Sequence, residues 1–89
     1  MMYPYLELSD GTQVVHSQII EEDGEKKVFV NFERAVDGGF DDARCELPSY
    51  RWMANRGYSK EELAHFQKFL KNNAHLIYRF AAEGGLKFA

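Results

Sequence analysis

The stretch 60–83 contains neither Pro nor Gly and carries helix punctuation at both ends. Ser59 stands at the N-cap, and Glu62 three residues on can return a hydrogen bond to it, the pattern of a capping box. Tyr58 and Leu63 are spaced as a hydrophobic staple around that start. Gly84-Gly85 supplies a left-handed stop. At 1.5 Å per residue the helix spans about 36 Å, which is long for a chain of 89 residues. Everything else has to pack around it. On a helical wheel, Leu63, Phe66, Phe69, Leu70, Ala74, Leu76, Ile77, Phe80 and Ala81 fall in an arc of roughly 160°, broad enough to lie on a sheet. His65, Lys68, Lys71, Asn72, His75 and Arg79 occupy the other side. Asn73 falls inside the apolar arc and needs a partner, since an unpaired buried amide costs about 1–3 kcal/mol. A backbone group at the sheet edge or in the preceding segment is the expected one; a helix–helix contact is the alternative.

The first 47 residues read as antiparallel strands. Asp10-Gly11 and Asp23-Gly24 are hairpin signals, because their central positions need positive φ. Two-residue turns at both sites place Val15 opposite Leu6 and Phe32, and Ile19 opposite Val28. One face then collects Leu6, Leu8, Val15, Ile19, Val28, Val30 and Phe32. A loop over 34–42 leads to a fourth strand, 43–47, with Ala43, Cys45 and Leu47 inward; Pro48 ends it. Residues 49–56 read as a short helical turn stopped by Gly57. The expected fold is α+β: a four-stranded antiparallel meander, a short helical connector over 48–58, and one long C-terminal helix (59–85) on one sheet face, as a single domain over 1–89.

Composition bounds the chemistry. The net charge of −3 divides unevenly: residues 1–47 hold 11 acids and 4 bases, residues 48–89 hold 3 acids and 7 bases. Either the two parts attract within one fold or the basic part meets an acidic partner. The lone Cys45 excludes an internal disulfide and suits a reducing compartment. The N-terminus has neither a basic region nor an apolar h-region, and no apolar run approaches the ~20 residues of a membrane span. A cytoplasmic protein without membrane contact is expected.

No catalytic signature is present. Gly38-Gly39 joins strands and is not a phosphate cradle. His65 and His75 lie about 15 Å apart along the helix, too far to share a metal. Cys45, at an inward position, lacks a base, with His16 assigned to the other sheet face. The carboxylates of the turns do not match a calcium loop. The expectation is a non-enzyme with no cofactor or metal.

Two surfaces remain. Strand alternation puts Tyr3, Tyr5, His16, Gln18, Phe29, Asn31, Arg44 and Glu46 on the sheet face away from the helix, where one helix cannot cover them. Aromatics, Arg and amides together have the make-up of a protein-recognition surface, for a protein partner or a second copy. The other set is basic and aromatic: Arg51, Trp52, Arg56, Lys68, Lys71 and Arg79 could stack bases and meet phosphates. A non-enzymatic protein-interaction or regulatory module is the leading expectation, a nucleic-acid-binding regulator the second.

Leu47-Pro48-Ser49-Tyr50, Asn73-Ala74-His75-Leu76-Ile77-Tyr78 and Gly84-Gly85 together resemble short uncharacterised bacterial proteins of similar length. The resemblance implies a stand-alone bacterial cytosolic protein. It carries no activity, ligand or site residue.

Overall fold

The computed structural model describes residues 1–85. Six strands form one antiparallel sheet, followed by a single helix. The strands are β1 (Met2–Glu7), β2 (Gln13–Ser17), β3 (Ile20–Glu22), β4 (Glu25–Val36), β5 (Gly39–Leu47) and β6 (Arg51–Arg56); α1 is Lys60–Glu83. The sheet runs β1-β2-β4-β5-β6, and β3 continues β2 along the first residues of β4.

The helix has the boundaries that its caps dictate. The Ser59 side chain accepts from the Glu62 amide at 3.1 Å, and Glu62 Oε1 accepts from the Ser59 amide at 3.0 Å. Gly84 closes the helix with φ 81°, and the Gly85 amide donates back to the Phe80 carbonyl at 2.7 Å. Phe66, Leu70, Ile77 and Ala81 form its buried stripe. Phe32 lies parallel to Phe66 with ring centroids 4.3 Å apart, and Trp52 and Phe69 flank it at 5.9 and 6.2 Å. Tyr58, expected to meet Leu63 as a staple, presents its edge to Phe66 at 4.9 Å.

The sheet departs from the expected four strands in three places. The connector over 49–56 is not helical: residues 51–56 form β6, paired to β5. The outer edge of β5 would otherwise leave a row of amides and carbonyls bare, and that ladder outweighs the weak helical preference of the segment. Pro48, after a cis peptide, and Tyr50, at φ 61°, reverse the chain there. The expected loop over 34–42 is also mostly strand. β4 and β5 continue to a tight turn at Asp37-Gly38, with Val36 opposite Gly39 and Gly38 at φ 83°. Like Asp23-Gly24 it is a two-residue Asp-Gly connection, but only its glycine takes positive φ, whereas Asp23 does so as well.

The third departure changes which residues face the helix. Asp23-Gly24 makes the expected two-residue turn, with Glu22 opposite Glu25 and Ile20 opposite Lys27. Further along, His16 pairs with Val30 and Val14 with Phe32. One extra residue is therefore accommodated between His16 and Ile20, a bulge. Ser17 holds it: its hydroxyl accepts the Phe29 amide at 2.9 Å and donates to the Gln18 carbonyl at 2.7 Å. The first hairpin is offset too, because Leu8–Thr12 close a longer loop and Leu6 pairs with Val14 instead of Val15. Val14 and His16 are thus fully buried under the helix, and Val15 turns to the open face.

Arg34 locks the sheet to the start of the helix. Its guanidinium meets Asp41 at 2.7 Å, Glu62 at 2.9 Å and Asp10 at 3.2 Å, and lies 4.8 Å over the Tyr58 ring. One cation so joins β4, β5, the first loop and α1. Gly57, at φ 98°, fits against this site because a Cβ there would run into the Asp41 carboxylate.

The Glu62 carboxyl is held below its ordinary 4.5, first by the Ser59 amide and then by Arg34. The Asp10 carboxyl is held below 3.8, first by the Thr12 amide. Groups depressed in the folded state contribute stability above their unfolded values and lose it as pH falls through their folded ones. Arg34→Met is expected to cost about 2 kcal/mol, on the order of 10 °C in Tm for a domain of this size. The difference from wild type, followed by thermal denaturation, should shrink as pH is lowered below about 4. An unchanged Tm at pH 7 contradicts this role for Arg34.

Candidate interaction face

The helix covers one side of the sheet, and among the described residues no element packs on the other. Cross-strand pairing defines that open face. From one end of the strands to the other its rungs are Phe29 with Glu46 and Arg51, then Pro4 and Val15 with Asn31, Arg44 and Ala54, then Glu7 and Gln13 with Glu33, Asp42 and Arg56, then Ala35 with Phe40.

The rungs are ordered by contacts within the face. Arg44 Nε donates to Asn31 Oδ1 at 2.9 Å, and its guanidinium carbon lies 5.5 Å over the Phe29 ring. Glu46 is only 5% exposed even though it belongs to the open face. Ser49 Oγ donates to its carboxylate at 2.7 Å, and Lys27 and Arg51 approach at 3.6 and 3.8 Å. These contacts hold the Glu46 carboxyl below its usual range, the Ser49 hydrogen bond first and the two cations after it. Beyond Arg44 the face becomes acidic, with Glu33 directly opposite Asp42. Like charges so placed repel each other. Phe40 projects beside them, 67% exposed, above a depression of about 320 Å³ that all three line.

Of the residues expected on this face, Phe29, Asn31, Arg44 and Glu46 are there. Gln18 is exposed at the bulge and lines a groove with Met2, Phe29 and Arg44. Tyr3, Tyr5 and His16 are not: the register offset turns them toward the helix. The Tyr3 ring packs against Gly85, where a Cβ would come within 2.8 Å, and lies 5.7 Å from His16. The Tyr5 hydroxyl donates to Asn73 Oδ1 at 2.7 Å. Asn73 in turn donates to the Phe69 carbonyl at 2.9 Å, so its partners are one strand side chain and its own helix. His16 Nδ1 is 2.8 Å from the Ser17 carbonyl, while its buried Nε2 has no partner among the described residues. Sequence reasoning missed Val15, Glu33, Asp42 and Phe40 on the open face. The signal for the last three was the alternation running through Glu33, Ala35 and Asp37-Gly38.

The basic set does not converge. Trp52 is turned into the core beside Phe32. Arg51 and Arg56 belong to the open face on β6, with Arg51 committed to Glu46. Lys68, Lys71 and Arg79 lie on the helix layer, Lys71 5.9 Å over Tyr50 and Arg79 paired with Glu83 at 3.5 Å.

His16 and Cys45 share the helix side of the sheet after all, which corrects the assignment of His16 to the opposite face. They flank Val30 on the same rung, however, two strand spacings or about 10 Å apart. That is beyond proton-transfer reach. Burial, with a smaller contribution from Glu46, pushes the Cys45 thiol up to about 12. A cleft of about 370 Å³ between the first loop and α1 is lined by Asp10, Glu62, His65, Phe66 and Phe69 among others. Both of its carboxylates are already held by Arg34 and backbone amides. Among the described residues no group of three or more His, Cys, Asp or Glu could hold a metal ion, and no helix is long and apolar enough to cross a membrane.

Comparison with models of protein families, with curated proteins and with solved structures finds no match.

Cys45 should resist a thiol reagent such as dithionitrobenzoate at pH 8 in the native protein and react fully after denaturation. Fast native labelling contradicts its burial. Tyr5→Phe should lower stability by about 1 kcal/mol, read as a fall in Tm of several degrees, because Asn73 Oδ1 loses its donor inside the interface.

Proposed function

We propose that this chain is a non-catalytic protein-interaction module whose working surface is the open sheet face around Phe29, Asn31 and Arg44. The supporting observation is the preorganised Arg44: its side chain is fixed between Asn31 and Phe29 at the centre of a face that no described element covers. A solvent-facing Arg has no need of such a brace, whereas a binding anchor gains from losing its rotamer freedom before the partner arrives. Phe40 adds an exposed aromatic at the same surface.

The separation of His16 from Cys45, and the commitment of Asp10 and Glu62 to Arg34, support a role without catalysis. The division of the basic residues between two layers, with Trp52 in the core, gives less support to a nucleic-acid-binding regulator.

Photo-crosslinking in the cells that make the protein tests this directly. The pair Phe40→p-benzoylphenylalanine and Lys68→p-benzoylphenylalanine reports on the open face and on the helix surface. Protein adducts from position 40 and none from position 68 are expected. Adducts from position 68 alone, nucleic-acid adducts, or no adduct at either site contradict the proposal.

A further inference from the structure

Resting on the reading of the open face as an interaction surface, we propose that its occupant is a second copy of this chain. The two sheets pack face to face about a two-fold axis that crosses the strands at the Phe32–Ala43–Asn55 rung. The inference comes from the order of charge and size along the face.

On β4, β5 and β6, four charged groups of this face have no opposite charge within ion-pairing distance among the described residues. They are Glu33, Asp42, Arg44 and Arg56. Glu33 and Asp42 oppose each other on one rung, and Arg44 stands on the next. Arg56 faces Asp42 across the strands without pairing to it. A monomer gains nothing from two repelling acids beside an unpaired Arg.

A two-fold axis lying between the sheets at the Phe32–Ala43 rung reverses the order of the rungs in the second copy. Arg44 of each copy then lies over Asp42 of the other, and Asn31 over Glu33. The same operation matches sizes. Phe29 lies over Ala35, and Ala54 over Arg56. Phe40, the most exposed aromatic of the face, lies over Glu46, which is sunk to 5% exposure. Phe29, Arg56 and Phe40 each meet a small or recessed side chain and Arg44 meets an acid, so the face complements itself, as an isologous interface requires. Packed sheets stand about 10 Å apart, a gap that one layer of side chains from each copy fills.

The size of the face sets the strength. Five strands side by side span roughly 24 Å, and the rungs from Phe29 to Ala35 run roughly 20 Å, on the order of 500 Å² per copy. Doubled, that reaches the lower bound of specific interfaces, about 1,000 Å². An area at that bound fits a weak, reversible dimer and not an obligate one.

Sedimentation equilibrium over a concentration series tests the dimer, using Arg44→Asp, Asp42→Arg and the double exchange. Wild type is expected to pass from monomer to dimer within the series. Each single reversal places two like-charged pairs across the axis and should weaken association by about 100-fold. The double exchange should restore it, an outcome that general destabilisation cannot produce. Phe40→Glu, at a position too exposed to affect folding, should also give monomer. Wild type that stays monomeric at millimolar concentration overturns the proposal, as does a dimer indifferent to the single reversals. The two readings fail separately. A monomer that still yields adducts to a different protein from position 40 rejects the second copy and keeps the interaction face. A monomer without adducts rejects both.

Discussion

A single extra residue between His16 and Ile20 decides which side of this protein is core and which is surface. Side chains alternate along a strand, so an offset of one exchanges every inward residue for an outward one. Before the bulge, Val14 and His16 point to the helix; with a uniform hairpin, Val15 and Ser17 would. The Ser17 hydroxyl makes the offset stable by taking the Phe29 amide that the interrupted ladder leaves free. Tyr3 and Tyr5 follow β2 inward, Tyr5 with a one-residue irregularity of its own between Pro4 and Leu6. The helix then finds a surface with a hydroxyl placed for Asn73 and an aromatic wall for Phe69 and Phe80.

Much of this was legible in the sequence, and the parts that were not share one cause. Capping and periodicity are local, and they placed the caps of α1 at Ser59 and Gly84 and located its apolar arc. Asp23-Gly24 is local and was placed correctly as well. The bulge depends on a serine side chain acting as a ladder partner, and any Ser in a strand has the same local appearance. The helical reading of 49–56 failed because the free edge of β5, a tertiary partner, outweighs propensity. The strand pairing through Arg34 and Asp41 was hidden because Gly38-Gly39 suggests a loose loop where Asp37-Gly38 makes a tight one. The candidate face was half legible: β4 and β5 residues were placed correctly, and β1 and β2 residues were inverted by the offset.

Arg34 and Arg44 show how one residue type serves two ends. Arg34 is surrounded by three carboxylates and a phenol ring, and its charge is neutralised inside the fold. Arg44 is held by a neutral amide and an apolar ring, which leave its charge uncompensated at the centre of the open face. Both edges of the sheet, β1 and β6, carry one-residue irregularities that disrupt a continuous ladder. That favours the face over the edges as the place where a partner docks.

The register break can be measured directly by cross-strand nuclear Overhauser effects in the isotope-labelled protein. Contacts linking Val14 to Phe32 and His16 to Val30, with the Tyr5 ring near Phe69 and Asn73, are the expected result. Contacts linking Val15 to Phe32 and Ser17 to Val30 would mean an unbroken hairpin. His16 and Tyr5 would then return to the open face, and the bulge would not be what separates core from surface.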